Sequence, residues 1–145
     1  MYYEALAGEL LNVRAKLLQV PAHQEITKLM RGELFVLNYL KNSERPVHPK
    51  ELSEKLSVST ARIARLLNHL EEQKLIIRFT DEQDSRQVNV QLTELGISMI
   101  DKARKKVLEY TVQMLESLGP NDAKEYIRIQ EKIYQTYLSK INIDK

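Results

Sequence analysis

The sequence predicts a mainly helical fold carrying one small β-hairpin, on three observations. Apolar residues recur at helical spacing through most of the 145 residues. Four glycines and four prolines supply all the turn punctuation, too little for a sheet of many hairpins. One short stretch, RQVNVQL at 86–92, switches to two-residue alternation with β-branched residues.

The length suits one domain with a real core, so a single architecture is expected over 1–145. Apolar residues make up 43% and charged residues 29%, as in soluble globular proteins. There is no cysteine, which excludes disulfide frameworks, thiolate zinc sites and thiol redox sensing. The N-terminal segment lacks the basic start and unbroken apolar run of a signal peptide, and no segment reaches transmembrane length. A cytoplasmic protein without membrane contact is expected.

The elements follow in order. Leu6, Leu10, Val13 and Leu17 share one helical face over Tyr3 to Val20, and Pro21 closes that pattern. GELFVLNYLK at 32–41 is apolar on nearly every side, as a central buried helix requires. Pro49 suits the first position of a short helix reaching Leu56, with His48 at the cap where Ser or Thr would serve better. Ser59 caps a second helix, in which Ile63, Leu66, Leu67 and Leu70 form the apolar stripe. Two short strands follow, LIIRFT and RQVNVQL. In the latter Val88, Val90 and Leu92 are expected to point inward and Gln87, Asn89 and Gln91 outward, with DEQDS as the tip between the strands. Thr93 and Glu94 start a long helix to about Leu118. Gly119 and Pro120 break it, and a last helix runs from about Asp122 to Lys140.

A helix, a tight turn, a second helix and a hairpin in that order make a winged helix-turn-helix, the arrangement that lays one helix in a DNA groove with a β-wing beside it. Net charge is only +2, so distribution must carry the case for nucleic acid. It does between Glu54 and Glu71, where Lys55, Arg62, Arg65 and His69 occur without a carboxylate among them. Thr60, Ala61, Arg62 and Arg65 lie opposite the apolar stripe and form the expected major-groove reading set. Arg can bridge guanine O6 and N7, while Thr or Ala can touch a thymine methyl. Lys50, Ser53, Lys55, Ser59, Asn68, His69 and Arg78 are candidate phosphate or supporting contacts.

The terminal helices carry more apolar surface than one small domain needs: Tyr2, Tyr3, Leu6 and Leu10 at one end, and Tyr126, Ile127, Ile133, Tyr134, Tyr137, Leu138 and Ile141 at the other. Such faces meet a partner, and a second copy of the chain is the simplest. The expected organisation is therefore dimerisation helices at 1–30 and 119–145, a winged helix-turn-helix lobe at 31–96 and a long connecting helix at 97–118.

The run from ELSEKL through the Ser59 helix, Arg78, Asp84-Ser85-Arg86 and the strand ending Leu92-Thr93-x-x-Gly96 resembles the MarR family of bacterial transcription regulators. The resemblance extends over nearly the whole chain. It implies that Arg86 is a wing-tip arginine in the minor groove, where a narrow groove concentrates negative potential, oriented by Asp84. It also implies a homodimer that binds a near-palindromic operator and represses, with a cleft for a small-molecule effector of unspecified identity where the dimerisation helices meet the lobe. Three departures stand out: Lys74 where Gly is usual after the second helix, no proline before Asp84, and His48 as a cap.

No cofactor or metal is expected, because His23, His48 and His69 show no ligand spacing with one another. Nor is an enzyme: there is no Gly-rich phosphate loop and no nucleophile motif with a base, and Glu51/Glu54 and Glu71/Glu72 fall on solvated helix faces. The rival to operator binding is a winged-helix module that binds a protein or RNA partner without operator specificity.

Overall fold

The computed structural model describes residues 1–143. The chain divides into two compact units, 1–108 and 109–145. The first holds helices α1 (Tyr2–Leu17), α2 (Pro21–Leu29), α3 (Gly32–Asn42), α4 (Pro49–Leu56) and α5 (Thr60–Glu72), strands β1 (Ile76–Thr80) and β2 (Val88–Leu92), and the start of α6 (Glu94–Leu118). The second holds the rest of α6 and α7 (Pro120–Ile143). No helix among the described residues is long and apolar enough to cross a membrane.

One apolar cluster organises the first unit. Val36, Leu37 and Leu40 of α3 meet Leu52 of α4, Ile63, Leu67 and Leu70 of α5, Leu75 and Ile76 at the start of the hairpin, Val90 of β2 and Ile100 of α6. Each fully buried Leu or Ile contributes about 1.5–3 kcal/mol through area removed from water. Every element that frames α5 thus shares one core with it. The nearly all-round apolar character of α3 is explained by its central place in that cluster.

Strands β1 and β2 pair antiparallel, with Ile76 opposite Leu92 and Thr80 opposite Val88. The segment before α4 adds a third, single-bridge segment to the hairpin that the sequence did not announce. Val47 exchanges backbone hydrogen bonds with Val90, at 2.8 and 3.4 Å. Arg45 and Glu51 form an ion pair that holds this segment, and Ser43 Oγ donates to the Tyr39 carbonyl at 2.8 Å. The Arg45 guanidinium holds the Glu51 carboxyl below its ordinary range, with Tyr39 as a further hydrogen-bond partner.

Other expectations are corrected at particular residues. α1 stops at Leu17, short of Val20, and Pro21 both ends the first pattern and opens the separate helix α2, its fixed φ fitting a first helical position. α7 is longer than expected, Pro120 to Ile143, for the same reason at Pro120. In β2 the alternation fails at its outer end: Val88 is exposed and Asn89 buried. Val88 lies beyond the edge of the core, while Asn89 lies under the hairpin loop, where its amide bonds Asp81.

The Leu92-Thr93-x-x-Gly96 pattern has a physical meaning here. Thr93 Oγ1 donates to the Lys74 carbonyl at 2.6 Å and accepts the Gly96 N–H at 3.0 Å, while the Thr93 N–H donates to the Leu75 carbonyl at 3.1 Å. A Cβ on Gly96 would stand 2.1 Å from the Leu75 carbonyl oxygen and 3.1 Å from Leu92 Cδ2. The start of α6 is thereby clamped to the turn that ends α5.

Two outcomes follow from this corner. Gly96→Ala forces backbone apart and lowers the unfolding free energy by about 3 kcal/mol in denaturant titrations. Lys74 sits at φ 62°, the left-handed region, so Lys74→Gly raises it by about 0.5–1 kcal/mol without loss of the carbonyl that Thr93 uses.

Candidate nucleic-acid interface

The helix pair α4–α5 is joined by residues 57–59, with Ser57 left-handed at φ 56°. The Val58 N–H donates to the Ser53 carbonyl at 3.1 Å, which turns the chain sharply. Ser59 then caps α5, its hydroxyl accepting the Arg62 N–H at 3.1 Å. No acidic residue occupies the first turn of α5, so no carboxylate of that turn offsets the partial positive charge of the helix start. Ile63, Leu67 and Leu70 are buried, and Thr60, Ala61, Arg62 and Arg65 are exposed. Among the described residues no side chain bonds or pairs with either guanidinium.

The supporting candidates divide by environment. Lys50 and Lys55 are exposed on α4. Ser53 is buried, and its hydroxyl donates to the Lys50 carbonyl at 2.8 Å, so it belongs to the inside of the helix pair. Arg78 is occupied from within: Nε donates to Glu71 Oε2 at 2.9 Å and Nη2 to Asn68 Oδ1 at 2.8 Å, fastening β1 to α5. His69 Nδ1 meets Glu33 Oε1 of α3. Asn68, His69 and Arg78 thus hold α5 in place from its C-terminal half.

At the wing tip Arg86 is 94% exposed and its Nε lies 3.9 Å from Asp84 Oδ1. The same carboxylate oxygen accepts the Arg86 backbone N–H at 3.0 Å, so Asp84 shapes the turn as well as facing the guanidinium. The residue that organises the tip is Asp81. Its Oδ1 accepts the N–H of Gln83 at 2.8 Å and of Asp84 at 3.3 Å, and its own N–H donates to the Gln87 carbonyl at 3.0 Å. These bonds, that from Gln83 foremost, hold the Asp81 carboxyl below its ordinary value. An aspartate two residues ahead of a turn N–H is a local signal, and it could have been read from DEQDS. His48 carried no such signal. Its side chain makes no cap; Nδ1 instead donates to the Val88 carbonyl at 2.9 Å, 40 positions away.

A family model described as Transcriptional regulator SarA/Rot matches residues 22–103, from α2 into α6. The chain belongs to the SarA/Rot family of transcriptional regulators. This SarA/Rot member is therefore a winged-helix transcription regulator, as the MarR-like resemblance anticipated. No curated protein sequence matches it. Its fold is that of several solved structures. YusO from Bacillus subtilis is 19% identical with a TM-score of 0.73, over 93% of this chain and 98% of that one. MepR, a transcription regulator of the Staphylococcus aureus multidrug efflux pump MepA, is 20% identical with a TM-score of 0.71, over 90% and 97%. A point mutant of S. aureus MepR bound to an oligodeoxyribonucleotide is 23% identical with a TM-score of 0.60, over 91% and 97%. MepR has also been solved bound to ethidium bromide. The family match spans the helix pair and the wing, the same residues whose geometry is described above.

The depressed Asp81 carboxyl has a definite sign. A group whose folded value lies below its unfolded one stabilises the fold fully above the unfolded value, here 3.8, and that contribution is lost as pH falls through the lower folded value. Asp81→Asn, with no charge to lose, flattens the acid limb of the stability profile followed by denaturant unfolding from about pH 5 to about pH 2.5.

Proposed function

We propose that this SarA/Rot regulator binds near-palindromic operator DNA as a homodimer and represses transcription by occluding polymerase. Helix α5 enters the major groove, where Thr60, Ala61, Arg62 and Arg65 meet base edges. Arg86 at the wing tip enters the flanking minor groove with Asp84 beside it. The observation that carries the reading is that, among the described residues, Arg62 and Arg65 have no side-chain partner and lie in a stretch, 55–70, without a carboxylate, whereas Arg45, Arg78 and Arg128 are each tied to a carboxylate of the chain. A guanidinium kept free at a capped helix start is available to a polyanion.

The dimer rests on the terminal helices taken singly. α1 buries no residue and leaves Leu10 57% exposed; α7 buries none and leaves Ile133 at 62% and Tyr137 at 61%. Apolar stripes of that extent need a partner in water. Two copies would set the recognition helices about 34 Å apart, one turn of DNA. The MepR structure with ethidium bromide motivates the last part of the reading, release by a small-molecule effector. Such a ligand acts only through its differential affinity for the bound and free states.

Selection of bound sequences from a random duplex pool yields a symmetric consensus if this is right. Against that consensus, Arg62→Ala loses about 1–3 kcal/mol of specific affinity at fixed salt. A module that recognises a protein or RNA instead gives no consensus and tolerates the substitution.

A further inference from the structure

We propose that His48 is a positioning residue for the wing, fixing the hairpin that carries Arg86 against the start of α4. The consequence for DNA rests on the operator reading; the positioning itself does not.

His48 occupies the N-cap of α4 at φ −87°, ψ 145°, yet makes no cap hydrogen bond. A Ser or Thr there would satisfy an orphan helix N–H. The imidazole reaches across to the wing instead, where Nδ1 donates to the Val88 carbonyl at 2.9 Å and Nε2 faces Asp81 Oδ2 at 3.9 Å. Those two contacts fall on the parts of the wing that matter. Val88 is the first residue of β2 after the tip, and Asp81 is the carboxylate on which the tip turn is built. Asn89 adds its amide to the same carboxylate.

Packing does not hold the tip. Val90 is 1% exposed, but Val88 is 40% exposed, so the strand leaves the core between them. Beyond that point an open cleft of about 640 Å³ separates the start of α4 from the wing, with Lys50 and Glu54 on one wall and Arg86 and Gln87 on the other. The tip is therefore held to α4 through polar contacts, and His48 spans the cleft at its base.

The test separates wing order from helix stability. His48→Ser gains a capping hydroxyl but is too short to reach Val88, whereas His48→Asn keeps a donor at the position of Nδ1. Hydrogen–deuterium exchange of residues 81–88 in the free protein rises about three- to tenfold in His48→Ser, the value of one net hydrogen bond, with unfolding midpoint unchanged or higher. His48→Asn exchanges as the native chain does. Unchanged exchange in His48→Ser, or equal loss in both variants, overturns the proposal. The second arm measures affinity for the selected duplex in a double-mutant cycle with Arg86→Ala. The His48→Ser loss disappears in the Arg86→Ala background if His48 acts through Arg86, and additive losses overturn that route. If the native chain binds no duplex, the operator reading fails while exchange still decides the role of His48.

Discussion

The lobe depends on a close approach of two backbones, the Leu75 carbonyl against Gly96. A side chain at 96 cannot fit there, and the Thr93 hydroxyl ties the same corner by donating to Lys74 and accepting from Gly96. The corner joins the end of α5, the base of the hairpin and the start of α6. Because all three also share the apolar cluster around Leu67, Leu70, Ile76 and Ile100, fixing one fixes the others. The orientation of α5 and of the wing beside it is set by this junction, and the exposed side chains inherit it.

Charge is distributed in keeping with that frame. Arg78 and Glu71 bind strand to helix, Arg45 and Glu51 bind the segment before α4, and Arg104 of α6 donates to Asn38 of α3 at 2.6 Å. Exposed ion pairs such as the first two add little to stability, and their role is to set geometry. Among the described residues the arginines at the start of α5 have no such partner. A near-neutral protein can thereby present a locally positive face to a polyanion.

Much of this was legible from local pattern. Pro49 and Ser59 mark helix starts because each acts on its own turn, through a fixed φ or a hydroxyl cap, and the bounds of α4 and the cap of α5 fall where those residues place them. The exposure of Thr60, Ala61, Arg62 and Arg65 follows from a single helical period. Ser53, by contrast, looks in sequence like any surface hydroxyl; its burial arises from the packing of α4 on α5. Arg78 reads as a spare cation until β1 is laid beside α5 and Glu71 and Asn68 come within reach. Two-residue alternation placed Val88 inward, but alternation says nothing about where the core ends.

The sequence by itself determined the order of elements from α3 onward, the Ser59 cap, the apolar stripe of α5 and the stretch without carboxylates over 55–70. All of these are set by neighbours within a turn or two. Tertiary structure alone decided which cations are engaged, why position 96 must be glycine, and that Val47 bridges to the wing at Val90. It also turned His48 from a poor cap into a tether for Val88. Each of these depends on groups distant in sequence and a few ångströms apart in space, and hydrogen bonding and steric exclusion act over the second distance.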